Sequence, residues 1–364
     1  MKVALTNPYA WPEVRRGSET VVRGLGRWLA GQGHDITLMA GGSATSRYDL
    51  DGVPVETFRS PDLRGWYRDL DPAVTFVPAM ARRLRREQPA AVHSFLYQDG
   101  LAARLAGRPY LVSYGGIALR RSFDGHALWW RMFRAASAGA RALVCPSRAA
   151  ADHLAVAFGY RAHVIPNGLW TSDFAVPTER DPALIFCAAA PDDTRKRVDV
   201  LVAAFAKLVA DAGRPPAGLR LALAGPASSE RRRQLLSGLG EEVADAVTFL
   251  GDLDAPALAT WYATATVTCL PSLNEAFGMV VVESMAAGTP VVGADHGALP
   301  ELINDAVGAT FPPDDVDACA AALSRVLREN ADGGMGDACR ERAAECDWST
   351  VGPQFVELYG HIAS

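Results

Sequence analysis

The chain has 364 residues, of which 49% are hydrophobic and 21% charged, and its formal net charge at pH 7 is -5. A single hydrophobic core seldom organises so many residues, so we expect two domains. The negative balance gives no overall reason to expect nucleic-acid binding. Asn7 and Pro8 interrupt the N-terminus before a signal-peptide core could form, and no run reaches about 18 apolar residues. We therefore expect a cytoplasmic protein.

The cysteines predict neither a disulfide framework nor a metal site. There are six of them, with no Cys-x-x-Cys pair. Free buried thiols in a reducing compartment are the expectation. These residues are Cys145, Cys187, Cys269, Cys319, Cys339 and Cys346.

Strand-like and helix-like segments alternate through the first half of the chain. The strand "KVALT" precedes a loop and a helix from Thr20, which Gly31 and Gly33 end, and the strand "DITLMA" follows. Further strand-like runs are "VPVETF", "AAVHSF", "YLVSY", "ALVCPS" and "HVIPNG". This pattern predicts a largely parallel sheet covered on both faces.

A second series of strands begins near Ala183, after a joint in "PNGLWTSDFAVPTERDP". Its strands are "ALIFCAAA", "LRLALAG", "VTFLG", "ATVTCLPS" and "TPVVGA". We predict an N-terminal domain at 1–170, a second domain at 171–345, and a C-terminal helix at 346–364 that packs back on the first. Ligands of such sheets bind beyond the carboxyl ends of the strands, so a cleft between two domains would suit a two-part substrate.

Glu275 and Glu283 bracket the apolar run "AFGMVVV". The preceding strand should end about Ser272, with a loop at 273–277 and a short buried helix at 278–287. The N-terminus of a helix attracts phosphate, and carboxylates accept hydrogen bonds from sugar hydroxyls. A capping or ion-paired role for Glu283 stays open. A glycosidase that uses the two glutamates as acid and nucleophile is not favoured, because a glycosidase needs no phosphate site.

The whole stretch "PSLNEAFGMVVVESMAAGTPVVGADHGALPEL" resembles the Glu-x7-Glu signature of the retaining glycosyltransferases of family 4. The segments "RRGSE", "VIPNGLWTSDF", "RKRVDVLVAAF" and "CDWSTVGPQFVELYGHI" extend the resemblance over nearly the whole chain. It implies an α/β protein of the GT-B fold, with two doubly wound Rossmann-like domains facing a cleft and a nucleotide-sugar between them.

The resemblance also implies roles for individual residues. Glu283 would hold the ribose hydroxyls and Glu275 the transferred sugar, while Lys196 would stabilise charge on the departing diphosphate. The family's second cation, an arginine, falls in Ala188–Ala190 here, and Arg195 is the expected substitute. The other expected donor-binding residues are Gly17, Leu250, Ala276, Phe277, Gly278, Met279 and His296, with a capping role equally open for His296.

The expected acceptor site departs from the family pattern. Arg16 replaces the first of two paired glycines, as an acceptor contact or as a loop charge on the rim. Gly115 stands where many relatives carry a histidine, and Tyr114 or His126 could take that histidine's place. All four residues are predicted to contact the acceptor.

The predicted activity is transfer of a hexose or amino-hexose, with retention, from a nucleotide diphosphate sugar to a small-molecule, sugar or natural-product acceptor. A UDP-sugar is favoured over a GDP-sugar, and no metal or other cofactor is expected. The Glu-x7-Glu pattern argues against an epimerase of related fold. The alternatives are a non-catalytic nucleotide-sugar-binding protein and a membrane-peripheral lipid glycosyltransferase. The last would use the arginines of "MARRLRREQP", for which a solvated helix face is favoured; these are Arg82, Arg83, Arg85 and Arg86.

Overall fold

A computed structural model describes residues 1–10, 13–14, 17–117, 119–210 and 218–364. The chain forms two compact units. Unit 1 comprises Met1–Gly168 and Trp348–Ser364, and unit 2 comprises Leu169–Asp347. The predicted boundaries at 170 and 345 fall close to these transitions.

Unit 1 is built on an eight-stranded sheet in the order β3-β4-β2-β1-β5-β6-β7-β8. Neighbouring strands are parallel except β3 and β4, which are antiparallel. Strand β3 was not predicted, because "SRYDL" is mostly exposed and polar. The strands are β1 (Lys2–Asn7), β2 (Asp35–Gly42), β3 (Ser46–Leu50), β4 (Val53–Arg59), β5 (Ala91–Ser94), β6 (Tyr110–Ser113), β7 (Ala142–Cys145) and β8 (His163–Val164).

Helices follow most of these strands. They are α1 (Gly17–Gly31), α2 (Pro72–Thr75), α3 (Val77–Glu87), α4 (Tyr97–Leu105), α5 (Ala127–Gly139) and α6 (Arg148–Phe158), with a 3-10 turn at Arg120–Phe123. The C-terminal helix α15 (Trp348–Ala363) packs on α1. A Cβ atom at Gly352 would lie 2.4 Å from the Trp28 ring, so glycine is what lets the two helices approach.

A buried histidine joins α15 to the sheet. The ring of His93, at the end of β5, lies 2.7 Å from the Tyr359 hydroxyl and 2.6 Å from the Ser113 hydroxyl. Burial lowers the pKa of His93 to about 3, so the ring is neutral at pH 7. The role of this histidine in the fold is structural.

Unit 2 contains a six-stranded sheet in the order β11-β10-β9-β12-β13-β14. All its strand pairs are parallel, which is the doubly wound arrangement. The strands are β9 (Asp181–Ala188), β10 (Arg220–Ala224), β11 (Val247–Gly251), β12 (Ala265–Leu270), β13 (Val291–Ala294) and β14 (Gly308–Phe311). Strand β14 was not predicted from the sequence.

Two details of unit 2 differ from the sequence reading. Strand β12 ends at Leu270 rather than about Ser272, because Pro271 has no N–H to continue the ladder. The helix of the signature spans Met279–Ala286, one residue shorter at each end than predicted. The helices are α7 (Val198–Ala210), α8 (Ser229–Leu236), α9 (Glu241–Asp245), α10 (Ala255–Thr264), α11 (Met279–Ala286), α12 (Leu299–Leu302), α13 (Val316–Glu329) and α14 (Gly336–Ala344), with 3-10 turns at Thr171–Phe174 and Thr194–Lys196.

All six cysteines are buried free thiols. Within the described ranges, no helix combines the length and the apolar character that a membrane span requires.

Candidate functional site

The carboxyl ends of the parallel strands β9, β12 and β13 lie side by side at one edge of the unit 2 sheet. Each strand continues into a loop there. The loop after β9 carries Lys196, the loop after β12 carries Glu275, and the loop after β13 carries His296. Parallel topology therefore brings together residues that are up to a hundred positions apart in sequence.

Hydrogen bonds join these three loops. Backbone N–H groups of two loops donate to acceptors on the neighbouring loops, and Asn274 adopts a left-handed backbone conformation with φ of 57°. The bonds run from Leu273 N to Arg195 O (2.8 Å), from Asn274 N to His296 Nδ1 (3.1 Å) and from Ala298 N to Glu275 O (3.0 Å). The bond that His296 accepts gives this residue a structural role beside Glu275.

Two glycines allow the close approach of backbone at this edge. Gly297 has φ of 62°, and a Cβ atom there would lie 2.6 Å from the carbonyl oxygen of Glu275. Gly278, with φ of 101°, precedes α11, and its Cβ would lie 2.9 Å from Leu299. Any other residue at either position would be strained and would displace the loop.

Lys196 and Glu275 form an ion pair at the centre of the site. The ammonium Nζ lies 2.5 Å from Glu275 Oε1, and the two side chains are 23% and 19% exposed. Partial burial makes this pair stronger than one in bulk water and holds both groups in fixed positions. The structure thus brings together two residues that the sequence analysis assigned separately to the diphosphate and the sugar.

Arg195, the proposed second cation, has a different environment. Its guanidinium is 64% exposed and donates two hydrogen bonds to Asp193, of 3.1 and 2.6 Å. Asp193 also caps the 3-10 turn that presents Lys196. The backbone of Arg195 is part of the site through its bond to Leu273, while its side chain pairs at the surface.

Glu283 lies in the middle of α11, and Tyr262 of α10 fixes its carboxylate. The Tyr262 hydroxyl donates to Glu283 Oε2 over 2.8 Å. The tyrosine is fully buried, whereas the glutamate keeps partial access to solvent. Burial raises the pKa of Glu283, and the hydrogen bond from Tyr262 opposes that rise. Desolvation likewise raises the pKa of Tyr262, so the hydroxyl remains a donor.

The start of α11 faces the same loops. The N–H groups of Met279 and Val280 have no acceptor within the helix, whereas those of Val281 and Val282 donate to the Gly278 carbonyl. The helix dipole favours a negative group at this end. Ala276 and Phe277 are buried just before it, and Met279 opens the helix with partial exposure. The site thus combines an ammonium, two carboxylates and a helix N-terminus, a set able to bind phosphate and hydroxyl groups together.

Comparison with known proteins decides the family. The model for "Glycosyltransferase Family 4" matches residues 15–172. The model for "Glycosyl transferases group 1" matches residues 181–329. The chain belongs to the glycosyltransferases of family 4 type.

The curated relatives of this glycosyltransferase include bacterial mannosyltransferases. The phosphatidyl-myo-inositol mannosyltransferase of Mycolicibacterium smegmatis is 35% identical over 57% of the chain, and that match spans 54% of the relative's own length. The MMP alpha-(1->4)-mannosyltransferase of Mycolicibacterium hassiacum is 29% identical over 94% of both chains.

Solved structures confirm the GT-B fold. Sucrose-phosphate synthase from Thermosynechococcus elongatus superposes with a TM-score of 0.80 at 24% identity, covering 99% of this chain and 98% of that one. The Anabaena protein HepE, in complex with UDP-glucose, has a TM-score of 0.77 at 18% identity, covering 99% of this chain and all of that one.

In unit 1 the residues predicted to bind the acceptor have different environments. Tyr114 is buried with its hydroxyl 2.8 Å from that of Ser137, so its side chain belongs to the core and does not replace the family's histidine. His126 is partly exposed and lies 2.5 Å from Asp69. Gly115 and Gly17 are exposed, and a Cβ atom added to either would meet no heavy atom within 4 Å. Arg16 lies outside the described residues.

Two further predictions concern unit 2. Leu250 is partly exposed near the carboxyl end of β11. Among the residues that the structure describes, no group of three or more His, Cys, Asp or Glu side chains is placed to hold a metal ion. The prediction that no metal is needed is based on the positive groups of the site, the Lys196 ammonium and the N-terminus of α11.

Three residues that organise these sites were not predicted from the sequence. Tyr262 fixes Glu283, Asp193 caps the turn that carries Lys196, and buried Asp69 accepts the backbone N–H of Leu128 besides contacting His126. A signal for Tyr262 was its hydroxyl inside the apolar run "WYATATV", because a buried hydroxyl needs a partner. The partners themselves are distant in sequence.

Proposed function

We propose that the enzyme is a retaining glycosyltransferase that transfers a hexose or amino-hexose from a nucleotide diphosphate sugar, UDP-linked in preference to GDP-linked. The observation that supports the proposal is the Lys196–Glu275 ion pair beside the N-terminus of α11. Glu283 lies in the same helix, and Tyr262 of α10 donates a hydrogen bond to it. The complexes of HepE with UDP and with UDP-glucose support a uridine donor.

Each group has a role in this reaction. The α11 N-terminus and the Lys196 ammonium would bind the diphosphate, whose negative charge grows as its bond to the sugar C1 breaks. Glu275 would accept hydroxyl groups of the sugar and hold Lys196 in place. Glu283, oriented by Tyr262, would accept the ribose hydroxyls.

The chemical step breaks the bond between the sugar C1 and the diphosphate oxygen and forms one between C1 and an acceptor oxygen. The acceptor proton passes to the departing diphosphate, which remains on the same face of the sugar. No protein nucleophile takes part, so an α-linked donor gives an α-linked product, and no metal is required.

The acceptor is proposed to be a small polyhydroxylated molecule, a sugar or a natural product. Curated relatives named for D-inositol 3-phosphate and for phosphatidyl-myo-inositol support a polyol, free or lipid-linked. The relatives that are named mannosyltransferases support mannose as the first hexose to test.

A mass-spectrometric screen tests the proposal. Purified enzyme is incubated with UDP- and GDP-sugars, with and without inositol phosphates and simple sugars, and Glu275→Gln serves as the matched control. We expect a product that gains one hexose with the native enzyme and far less with the variant. Proton NMR of that product gives its anomeric configuration. Product formation that is equal in the variant, or a β-linkage from an α-linked donor, would refute the assigned roles.

A further inference from the structure

Unit 1 carries a cationic and apolar surface around α5 that the reaction does not use. The guanidinium carbons of Arg120 and Arg134 lie 5.7 and 5.9 Å from the ring centre of Trp130. Beside them is an open groove of about 470 Å³ that the last turn of α6 also lines. We call this surface the α5 face, and its residues are Arg104, Arg120, Trp130, Arg131, Arg134 and Val156.

Three arginines of the α5 face, Arg120, Arg131 and Arg134, are available to bind an anion, while Arg104 donates to the Ala135 carbonyl. No ion pair joins any of them to a carboxylate among the described residues. Their charge is part of a wider asymmetry that the net charge of -5 conceals. Unit 1 has 22 Lys and Arg against 14 Asp and Glu, a formal +8, whereas unit 2 has 14 against 27, a formal -13. The basic surface is therefore a property of unit 1.

Apolar side chains project from the same surface. Val156 is 90% exposed in the last turn of α6, and Leu105 is 52% exposed beside Arg104 at the end of α4. Exposed branched aliphatic side chains between arginines, with a tryptophan at the centre, match the chemistry of the membrane interface. There, cations meet phosphate groups while aromatic and aliphatic groups enter the headgroup region.

The Val156 end of the α5 face lies away from the edge where acceptors are expected, whereas Arg120 lies in the segment between Gly115 and His126. Helix α6 begins just after the carboxyl end of β7 and runs back along the sheet, so Val156 lies toward the amino ends of the strands. Two arginines of α3 are engaged, because Arg83 pairs with Glu56 and Glu87 and Arg85 donates to the Leu105 carbonyl, whereas Arg82 and Arg86 are exposed. The α5 face differs from α3 because its arginines lie beside a tryptophan ring and an exposed aliphatic side chain, that of Val156.

We propose that the α5 face binds an anionic phospholipid surface, with Arg120 and Arg134 contacting lipid phosphates and Val156 entering the headgroup region. The enzyme then binds a membrane peripherally through unit 1, whichever sugar it transfers. The proposal is independent of the donor roles proposed for unit 2, because none of its residues belongs to that site.

Vesicle sedimentation of the full-length enzyme tests the cationic part. The vesicles contain phosphatidylglycerol and phosphatidylcholine in equal parts, and pure phosphatidylcholine is the neutral comparison. Loss of two interfacial arginines in Arg120→Gln/Arg134→Gln should weaken partitioning roughly thirtyfold. The matched control is Arg232→Gln/Arg233→Gln in α8 of unit 2, where Arg232 also lies over an aromatic ring, that of Phe249 at 5.3 Å. This control should bind like the native enzyme, and rising salt should weaken binding.

A fluorescent label tests the apolar part. Because all native cysteines are buried, Val156→Cys offers one accessible thiol for an environment-sensitive dye, and Gln234→Cys in α8 is its control. Anionic vesicles should shift the emission of the dye at position 156 to the blue and leave that at 234 unchanged. Thermal melting of each variant establishes that it is folded.

Three results would overturn the proposal. One is equal binding to anionic and neutral vesicles. Another is that Arg120→Gln/Arg134→Gln still binds anionic vesicles while Arg82→Gln/Arg86→Gln does not, which would assign the membrane contact to α3. The third is binding to a soluble polyanion as tight as to vesicles without a blue shift at position 156, which would indicate a polyanion partner instead of a membrane.

Discussion

Replacement of Tyr262 by phenylalanine should remove the hydrogen bond to the Glu283 carboxylate without disturbing the packing around the ring. The tyrosine is fully buried, and its ring meets that of Phe186 edge-on, with centroids 5.2 Å apart. Phenylalanine keeps this contact and removes only the hydroxyl that donates to Glu283 over 2.8 Å. The change therefore measures one hydrogen bond.

The cost of the change should depend on pH, because Glu283 titrates. Burial raises the folded-state pKa of Glu283 above its ordinary value of 4.5, so the folded chain keeps a proton that the unfolded chain releases. The free energy of unfolding therefore falls as pH rises from 4.5 through the folded pKa. Without the Tyr262 hydroxyl the folded pKa rises further, and this loss extends to higher pH. The deficit of Tyr262→Phe should grow from about 1 kcal/mol with the carboxyl protonated to roughly 1.5–3 kcal/mol with it ionised.

Scanning calorimetry of four proteins provides the measurement: native, Tyr262→Phe, Glu283→Gln and the double variant, each at acid and neutral pH. For a unit of this size, roughly 2–4 °C of melting temperature corresponds to 1 kcal/mol, so the shift at neutral pH should be roughly 3–12 °C. In the Glu283→Gln background the tyrosine substitution should have a small effect that does not change with pH. A deficit that is equal at both pH values, or undiminished in that background, would refute the reasoning.

The other predictions concern the loops and the reaction. Gly297→Ala should lower the melting temperature by the equivalent of roughly 1–3 kcal/mol, because its backbone is left-handed and a Cβ would clash with Glu275 O, whereas exposed Gly17→Ala should cost less than about 1 kcal/mol. Equal shifts of the melting temperature in the two variants would contradict the close approach of Gly297 to the Glu275 carbonyl. Lys196→Ala should lower turnover roughly a hundredfold while changing donor affinity less, since its partner gains charge as the bond breaks. Steady-state kinetics beside Lys196→Arg test this, and an equal loss in the arginine variant would indicate a steric effect. EDTA should leave the transfer rate unchanged, and a rate that collapses and returns with Mg²⁺ would establish a metal role.

Local pattern was enough to predict most of the fold. Alternating apolar strands and amphipathic helices predicted both doubly wound units, because a parallel strand buried on both faces has to be apolar throughout. The loop at 273–277 and the short helix after it were also predicted from local signals, with Gly288 and Pro290 ending the helix. The strands β3 and β14 were missed, because each is short and neither has a clear apolar run.

The amino-acid sequence by itself determined which residues carry charge at the site, and it placed Glu275 in a loop and Glu283 in a helix. Only the tertiary structure decided their partners. Lys196 precedes Glu275 by 79 residues, and Tyr262 precedes Glu283 by 21, so no local pattern relates them. The tertiary structure also decided which side chains are buried. Tyr114 resembles a site residue in sequence, yet it is buried in the core, where its hydroxyl forms a hydrogen bond with that of Ser137. The physical reason is that hydrogen bonds and desolvation depend on distances across strands, and these distances are set by the packing of the whole unit.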